Sequence, residues 1–428
     1  MNVIEPVVVI GAGPAGIGAG IALGKRGLVL DSCQEVGGLA RSIQLDDAVF
    51  DLGGHSFHTP HAEIRELVFN TLEMYEQRRD ARCYSHGVVI PYPFQANFRD
   101  IGDSAVVDEC AKGLASAVGS KGASNFQEFI EQRFGAGIAK HFMLPYNQKL
   151  WGNDLKRLAT DWVDERVAAP ESGSENFVLK GGKRTPLQST STVAYPARGG
   201  FGEIILALAR RVEHLRLGEN VLRLDPQRRE LTTQNQQVIR WSRIVSTLPI
   251  TKLLDIVPDV PAPLAYDVRR LEYLSLALVL IVINHPVDTS IQRIYCAEPE
   301  MPFHKLVLNH TSSPYLRSLR HHGVMAEISY CADKLLPEGN LAAPVITGLL
   351  AIGIIKSLDE VRCTKVITVP HAYPIHTHER EAIIRRAKDW LEQRRIHTIG
   401  RFGEWTYINS DEALHRGLSC GKALLNLE

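Results

Sequence analysis

The sequence predicts an α/β protein with three parts: a parallel sheet flanked by helices, a helical insert, and a second sheet of antiparallel strands. Three observations predict it. The apolar run Val7-Val8-Val9-Ile10 enters Gly11-Ala12-Gly13-Pro14-Ala15-Gly16, and a second apolar run, Gly27-Leu28-Val29-Leu30, ends on Asp31. From about 101 to 166, apolar residues such as Phe126, Phe129, Ile130 and Phe134 recur at helical spacing. Between about 270 and 370, several short runs rich in β-branched residues appear (276–283, 305–309, 324–330, 366–369), with one helical stretch near 345–358.

The first segment reads as strand, glycine turn, helix, strand. Gly11 permits the tight turn, Gly13 lets backbone approach a pyrophosphate, and Gly16 lets helix pack on strand, while Pro14 and Ala15 open a helix whose N-terminus faces the anion. Asp31, twenty residues past Gly11, stands where a ribose hydroxyl needs an acceptor. A second glycine loop follows in Glu35-Val36-Gly37-Gly38-Leu39-Ala40-Arg41; Gly38, Leu39 and Ala40 come close to the cofactor, and Arg41 can reach phosphate. An ordinary glycine hairpin would show the same local spacing. With Phe50-Asp51-Leu52-Gly53-Gly54-His55 soon after, the pattern resembles the FAD-binding half of the amine-oxidase-like flavoproteins. The resemblance implies a Rossmann-like FAD-binding domain of the GR2 type.

The elements beyond it are less regular. Residues 84–90 read as a hairpin running into the proline-stiffened Pro91-Tyr92-Pro93-Phe94-Gln95. Gly135 and Gly137 break the helical run, and 171–191, rich in Gly, Ser, Thr and Lys, reads as a mobile loop of the kind that closes over substrate. Residues 195–202 then precede a helix through Ile204 and Leu208, and Asn220 to Leu224 follows as a strand, which returns the chain to the cofactor domain. The expected division is 1–75, 191–255 and 393–428 for the discontinuous FAD-binding domain, 96–190 for the helical substrate-entrance domain, and 76–95 with 256–392 for the antiparallel sheet domain.

Composition narrows the partners. Lys plus Arg, 48, equals Asp plus Glu, 48, in 428 residues, so no overall field attracts nucleic acid or an anionic membrane. The longest apolar run, Leu274 to Ile283, is about half of the roughly 20 residues a membrane helix needs and reads as a core strand. No leader with an apolar h-region precedes the first strand, so a cytoplasmic protein is expected. Seven cysteines without a CxxC pair read as reduced core thiols, and sixteen histidines without ligand spacing predict no metal.

Four longer blocks resemble UDP-galactopyranose mutase, and the resemblance runs nearly the whole length. They are Gly53-Gly54-His55 with Phe57-His58-Thr59; Pro91 to Gln95; Pro145-Tyr146-Asn147-Gln148-Lys149-Leu150-Trp151-Gly152 with Trp162 and Glu165-Arg166-Val167; and Gly400-Arg401-Phe402-Gly403-Glu404-Trp405 with Tyr407. In that family reduced flavin attacks the anomeric carbon of a nucleotide sugar through N5, and ring opening and reclosure interconvert pyranose and furanose without net redox. The resemblance implies FAD, active as reduced flavin, with NAD(P)H possible as reductant. It implies a nucleotide sugar or related phosphorylated small molecule as substrate, and leaves oligomeric state open. It places Arg166, with Lys305, on the diphosphate; Tyr373 and Tyr407 on its far side; and Tyr92, Gln95, Asn147 and Trp151 around the nucleotide. His55, a group titrating near neutrality, and Arg401 face the flavin as catalytic residues with Arg166, and Val221 and Asp411 complete the cofactor contacts.

Three positions depart from the family pattern. Lys305 stands for an arginine, Ser312 for a longer tyrosine, and Thr190 for an asparagine, all expected on one side of one ligand. Two alternatives therefore stay open beside the mutase: an oxidoreductase on the same scaffold acting on a different small polar or phosphorylated substrate, and a binding protein without turnover.

Overall fold

A computed structural model describes residues 5–117, 122–163, 167, 169–170, 177–178 and 192–427. Its first layer is a five-stranded parallel sheet in the order β11 (Leu215–Leu217), β2 (Gly27–Asp31), β1 (Val7–Ile10), β15 (Arg243–Ser246), β21 (Ile396–Thr398). Its central strands are buried on both faces, as the unbroken apolar runs at 7–10 and 28–30 require. Helix Pro14–Leu23 lies on one face and packs along its length on the C-terminal helix Ser410–Leu425. That contact is close because glycines make it: a methyl group on Gly417 would lie 2.0 Å from the Ala15 carbonyl oxygen, and one on Gly18 2.4 Å from that of Leu414.

The second layer is a seven-stranded sheet in the order β20 (Val361–Pro374), β16 (Tyr273–Ile283), β19 (His322–Tyr330), β18 (Lys305–Leu308), β17 (Arg293–Cys296), β6 (Ala81–Ser85), β7 (Val88–Pro91). All neighbours run antiparallel except β17 and β6, which are parallel. The apolar run at 274–283 is β16, the sheet's buried spine between β19 and β20. Smaller sheets join the layers: the hairpin β3 (Ser42–Leu45) with β4 (Ala48–Asp51), β5 (Met74–Arg78) with β10 (Thr192–Pro196), the meander β12 (Val221–Asp225), β13 (Glu230–Thr233), β14 (Val238–Arg240), and the short pair β8 (Ala169–Pro170) with β9 (Phe177–Val178).

The helical part has its own aromatic core, with Phe94, Phe98, Phe126, Phe134, Phe142, Trp151 and Trp162 buried together. Helix Phe126–Ile138 kinks where Gly135 adopts φ 73°, and a methyl group there would lie 2.0 Å from the Gly113 carbonyl oxygen in helix Ser104–Ala115, so glycine is what lets the two helices approach. A π-helical turn, Ala139–Met143, then leads into helix Leu144–Trp151.

Packing ties together segments on either side of the expected domain boundaries. Strand β5 straddles the 75/76 boundary and pairs with β10. Helices Ala262–Arg269 and Arg380–Glu392, expected with the second sheet, bury Leu264, Val268, Ile383, Ile384 and Leu391 in one cluster with Val8 and Ile10, beside Leu253, Leu254 and Trp405. The cysteines also differ in part: all seven are free thiols, but Cys33 is exposed and Cys331, Cys363 and Cys420 are only half-buried. Among the described residues no helix is long and apolar enough to cross a membrane.

Candidate active site

The nucleotide cradle is built from backbone. Gly11 has φ 106°, and a side chain there would meet Thr247 Oγ1 at 2.0 Å; a methyl group on Gly16 would come to 1.7 Å from the Gly11 carbonyl oxygen. At Gly13 a methyl group would instead make only ordinary contact, 3.8 Å from Gly38 Cα and 4.0 Å from the Gly37 carbonyl oxygen. The two glycine loops thus oppose each other and are tied by the Gly37 N–H donating to the Ala12 carbonyl at 2.9 Å. A pyrophosphate fits such a pair of loops because only backbone approaches it, beside the N-terminus of helix Pro14–Leu23. Asp31 has a structural role that its spacing did not reveal: Oδ2 accepts from the Ala12 N–H at 2.6 Å and Oδ1 from the Cys33 N–H at 2.8 Å, leaving one lone pair on each oxygen for a ribose. Arg41 does not reach forward; its Nε donates to the Gly38 carbonyl at 3.2 Å. Leu39 and Ala40 lie in the short helical turn Gly38–Ala40. Val221 opens β12, next to the segment where the Glu219 N–H donates to the Asp31 carbonyl, and Asp411 is buried in the first turn of the C-terminal helix.

The opposite face is built from buried charge. Gly53, at φ 115°, turns the chain out of β4, and the Gly54 N–H donates to Glu327 Oε1 at 2.8 Å. Glu327 is wholly buried, and its Oε2 lies 2.7 Å from Lys305 Nζ. Burial alone would raise the Glu327 carboxyl, but the Lys305 ammonium and the His304 ring outweigh it and hold it well below the usual carboxylate range. Burial would likewise lower Lys305, and Glu327 more than reverses this. A methyl group on Gly54 would lie 3.3 Å from Lys305 Nζ and 3.5 Å from Arg293 Nε, so both cations pass directly over the flavin-side loop. Arg293 is buried and donates to Ser56 Oγ at 3.1 Å.

His55 corrects one expectation. Its ring stacks on Phe201 at 4.8 Å, and burial, followed by the charges of Arg401 and Arg293, pushes it down to about 3. It is therefore neutral across physiological pH instead of titrating near neutrality, and its Nδ1 is buried without a hydrogen-bond partner. Arg401 brings charge but few free donors: Nε and Nη2 donate to the Ile408 carbonyl and Nη1 to that of Ala372. Its guanidinium lies 4.9 Å from the Tyr373 ring and 5.8 Å from that of Tyr407, which meet edge to face at 5.0 Å. Burial pushes the Tyr373 phenol up to about 12, so it stays a donor.

Of the expected nucleotide contacts, Tyr92 and Gln95 are held at the end of the hairpin, with Tyr92 4.9 Å from Tyr295. Trp151 is buried against Trp162 at 5.0 Å and against Tyr373 and Tyr407, which makes it core as well as wall. The Asn147 amide donates back to the Met143 carbonyl at 2.7 Å, so its donor serves the helix. Arg166, Glu165 and Thr190, and most of the 171–191 loop, lie outside the described residues. Lys305 opens β18, whereas Ser312 lies in the turn Asn309–Ser312 past the strand's other end, where its carbonyl accepts from Gln77 Nε2 at 2.9 Å. The two departures therefore lie toward opposite ends of β18.

Sequence reasoning missed Arg293, Glu327, His304, Tyr295 and Arg79. Arg79 Nη2 donates to the Tyr295 phenol at 2.8 Å, and Arg79, Arg293 and Lys305 together outweigh burial and lower that phenol. The available signal was alternation, which puts Arg293 and Tyr295 on one face of β17; the cross-strand pairing of Lys305 with Glu327 left none. Elsewhere, at the tip of the β3–β4 hairpin, His321 Nδ1 lies 3.4 Å from Asp47 Oδ2 and 3.7 Å from Asp46 Oδ2; Arg362 pairs with that same Asp46 oxygen, so the group reads as an ion-pair cluster.

The family described as flavin containing amine oxidoreductase matches residues 21–295. Among solved structures, a reduced UDP-galactopyranose mutase is 25% identical with TM-score 0.88, covering 99% of this chain and 96% of that one. A proposed protoporphyrinogen oxidase of Exiguobacterium sp. 255-15 is 14% identical with TM-score 0.75 and 99% coverage of both chains. The CLA-producing fatty acid isomerase of P. acnes is 14% identical with TM-score 0.64, covering 99% of this chain and 98% of that one. At 14% identity the last two share the fold alone. With its glycine cradle and its cluster of buried cations, and with the match spanning well over half of its length, the chain belongs to the flavin-containing amine oxidoreductase family, as a flavoprotein similar to UDP-galactopyranose mutase.

Proposed function

We propose that the protein is an FAD-dependent mutase that interconverts pyranose and furanose forms of a UDP-galactose-like nucleotide sugar. The observation that carries the reading is the charge balance over the Gly54 loop: two buried cations, Arg293 and Lys305, face one buried carboxylate, Glu327, with Arg401 close enough to act on the same histidine. A site with this excess of positive charge suits a ligand that carries two or more negative charges, such as a sugar diphosphate. Inclusion of Arg166, expected on the same ligand, would add to the excess.

In this reading Gly11, Gly13 and Gly16, the Gly38-Leu39-Ala40 turn, Asp31, Val221 and Asp411 hold FAD, and Gly53, Gly54 and His55 line the reactive edge of its ring. FAD, when bound and reduced, supplies the nucleophile for the anomeric carbon. Arg293 and Lys305 neutralise the departing diphosphate, and the Tyr373 and Tyr407 phenols donate to it without adding charge. Tyr92, Gln95, Asn147 and Trp151 enclose the nucleotide, and the neutral His55 answers changes in protonation beside it through its free Nδ1. Arg401 stabilises negative charge on the reactive edge.

One observation favours a second reading. Lys305 is already neutralised by Glu327 at 2.7 Å, which leaves less free charge for a diphosphate and suits an oxidoreductase acting on a smaller polar substrate. An anaerobic assay of the holoenzyme, oxidised or dithionite-reduced, with a panel of nucleotide pyranoses and furanoses separates the two. Interconversion only in the reduced sample supports the mutase. Flavin reduction by a substrate, without any interconversion, overturns it.

A further inference from the structure

The resemblance assigned no role to His304, yet this residue is buried at the centre of the charged face. It immediately precedes β18, and its N–H donates to the Glu327 carbonyl at 3.0 Å, which folds the ring back over the face that Lys305 and Glu327 share. Ser329, two residues past Glu327 on β19, lies on that same face. The ring spans the two: Nδ1 is 3.3 Å from Ser329 Oγ, and Nε2 is 3.4 Å from Glu327 Oε2. A hydroxyl donating to Nδ1 leaves the ring proton on Nε2, aimed at the carboxylate. The Tyr146 ring closes the far side edge-on at 6.4 Å.

Glu327 therefore has three anchors. Its Oε1 takes the Gly54 N–H, and its Oε2 faces both Lys305 and His304. A neutral imidazole restrains the carboxylate without adding charge, so the balance among Glu327, Lys305 and Arg293 is unaltered. We propose that His304, clamped by Ser329, is a positioning residue that locks the Glu327 carboxylate between the Gly54 N–H and the Lys305 ammonium, so that the flavin-side loop and the ligand-facing cation move as one unit. This rests on the reading above that an anionic ligand faces Lys305.

The test compares the FAD-loaded enzyme with His304→Gln, His304→Phe and Ser329→Ala. Glutamine keeps a donor and an acceptor, phenylalanine keeps only the ring, and Ser329→Ala releases the clamp. UDP and inorganic pyrophosphate are the probes, by calorimetric titration, and the flavin midpoint potential is read separately. His304→Phe should weaken UDP binding about tenfold and shift the potential at unchanged FAD content. Ser329→Ala should move both in the same direction by less, and His304→Gln should stay within about twofold of the parent. Parent-like binding and potential in all three variants overturn the proposal, as do equal losses in the Gln and Phe variants. If the unaltered enzyme binds neither probe, the anionic-ligand reading fails on its own. The potential then decides: a shift confined to His304→Phe and Ser329→Ala keeps the positioning role through Gly54, and no shift ends it.

Discussion

The two walls of the site are made of different material. The nucleotide cradle is backbone and glycine, where the Gly13 and Gly38 loops oppose each other and are tied by a backbone hydrogen bond. The sheet wall is side chain: Arg293, Lys305, Glu327 and His304 are buried, and Lys305, Glu327 and His304 shift one another's charge states. A backbone site fails when a side chain is added to it. A charge network fails when one member is removed, because the others stay buried without it.

That contrast sets the order of expected effects. The largest belongs to the cradle: a methyl group on Gly16 would lie 1.7 Å from the Gly11 carbonyl oxygen, and neither backbone segment can retreat. Gly16→Ala should abolish FAD retention and cost more than about 3 kcal/mol of stability, read as flavin content and denaturant midpoint. Normal flavin loading in that variant would break the comparison at its stronger end. Next comes Glu327→Gln, which leaves Lys305 buried and uncompensated; a loss of about 3 to 5 kcal/mol is expected, and saturating UDP should partly restore the midpoint. Arg293→Met leaves Lys305 paired with Glu327, so the fold should persist while UDP is weakened by about 1.5 to 3 kcal/mol, seen in titration of the holoenzyme.

The most diffuse effect is one of pH. His55 and His310 are pushed down to about 3 and His304 to about 4, in each case first by burial. Their folded values lie below the unfolded value near 6.5, so the unfolded chain binds more protons, and stability falls as pH drops from about 6.5 toward 4. Asp51 opposes this in part. Burial raises its carboxyl to about 6, so its contribution is present below about pH 4 and is lost as pH rises through 6. The net acid loss should be shallower in His304→Gln, which removes one of the three protons, and denaturant unfolding between pH 4 and 7 measures it. An unchanged slope would mean that His304 is not neutral in the fold.

The same contrast explains what was legible in the sequence. Gly11, Gly13, Gly16 and Asp31 could be read because a cradle of local backbone leaves a fixed spacing within one β-α-β unit. The helical core was legible for a similar reason, since Phe126, Phe129, Ile130 and Phe134 lie within three turns. The partners of the sheet wall are far apart in the chain: Gly54 meets Glu327 across 273 positions and Arg293 meets Ser56 across 237, and no local pattern encodes either. Lys305 was found only through the family resemblance, and its ion pair could not be seen at all. His55 was assigned the wrong titration range because its neighbours Arg293 and Arg401 are distant in sequence. The packing of 262–269 and 380–392 was not legible because amphipathic helices do not state which sheet they cover.

The hydrogen bond from the Gly54 N–H to Glu327 bears on how such enzymes can be recombined. A substrate sheet spliced in from a relative would carry its own strand offsets, and a carboxylate displaced by one residue along β19 would face the other side of the sheet. The glycine loop would then lose its tether even if every residue of the cofactor domain were retained. Functional chimeras of this scaffold should therefore cluster at crossovers that keep positions 54 and 327 from the same parent, whatever the origin of the rest.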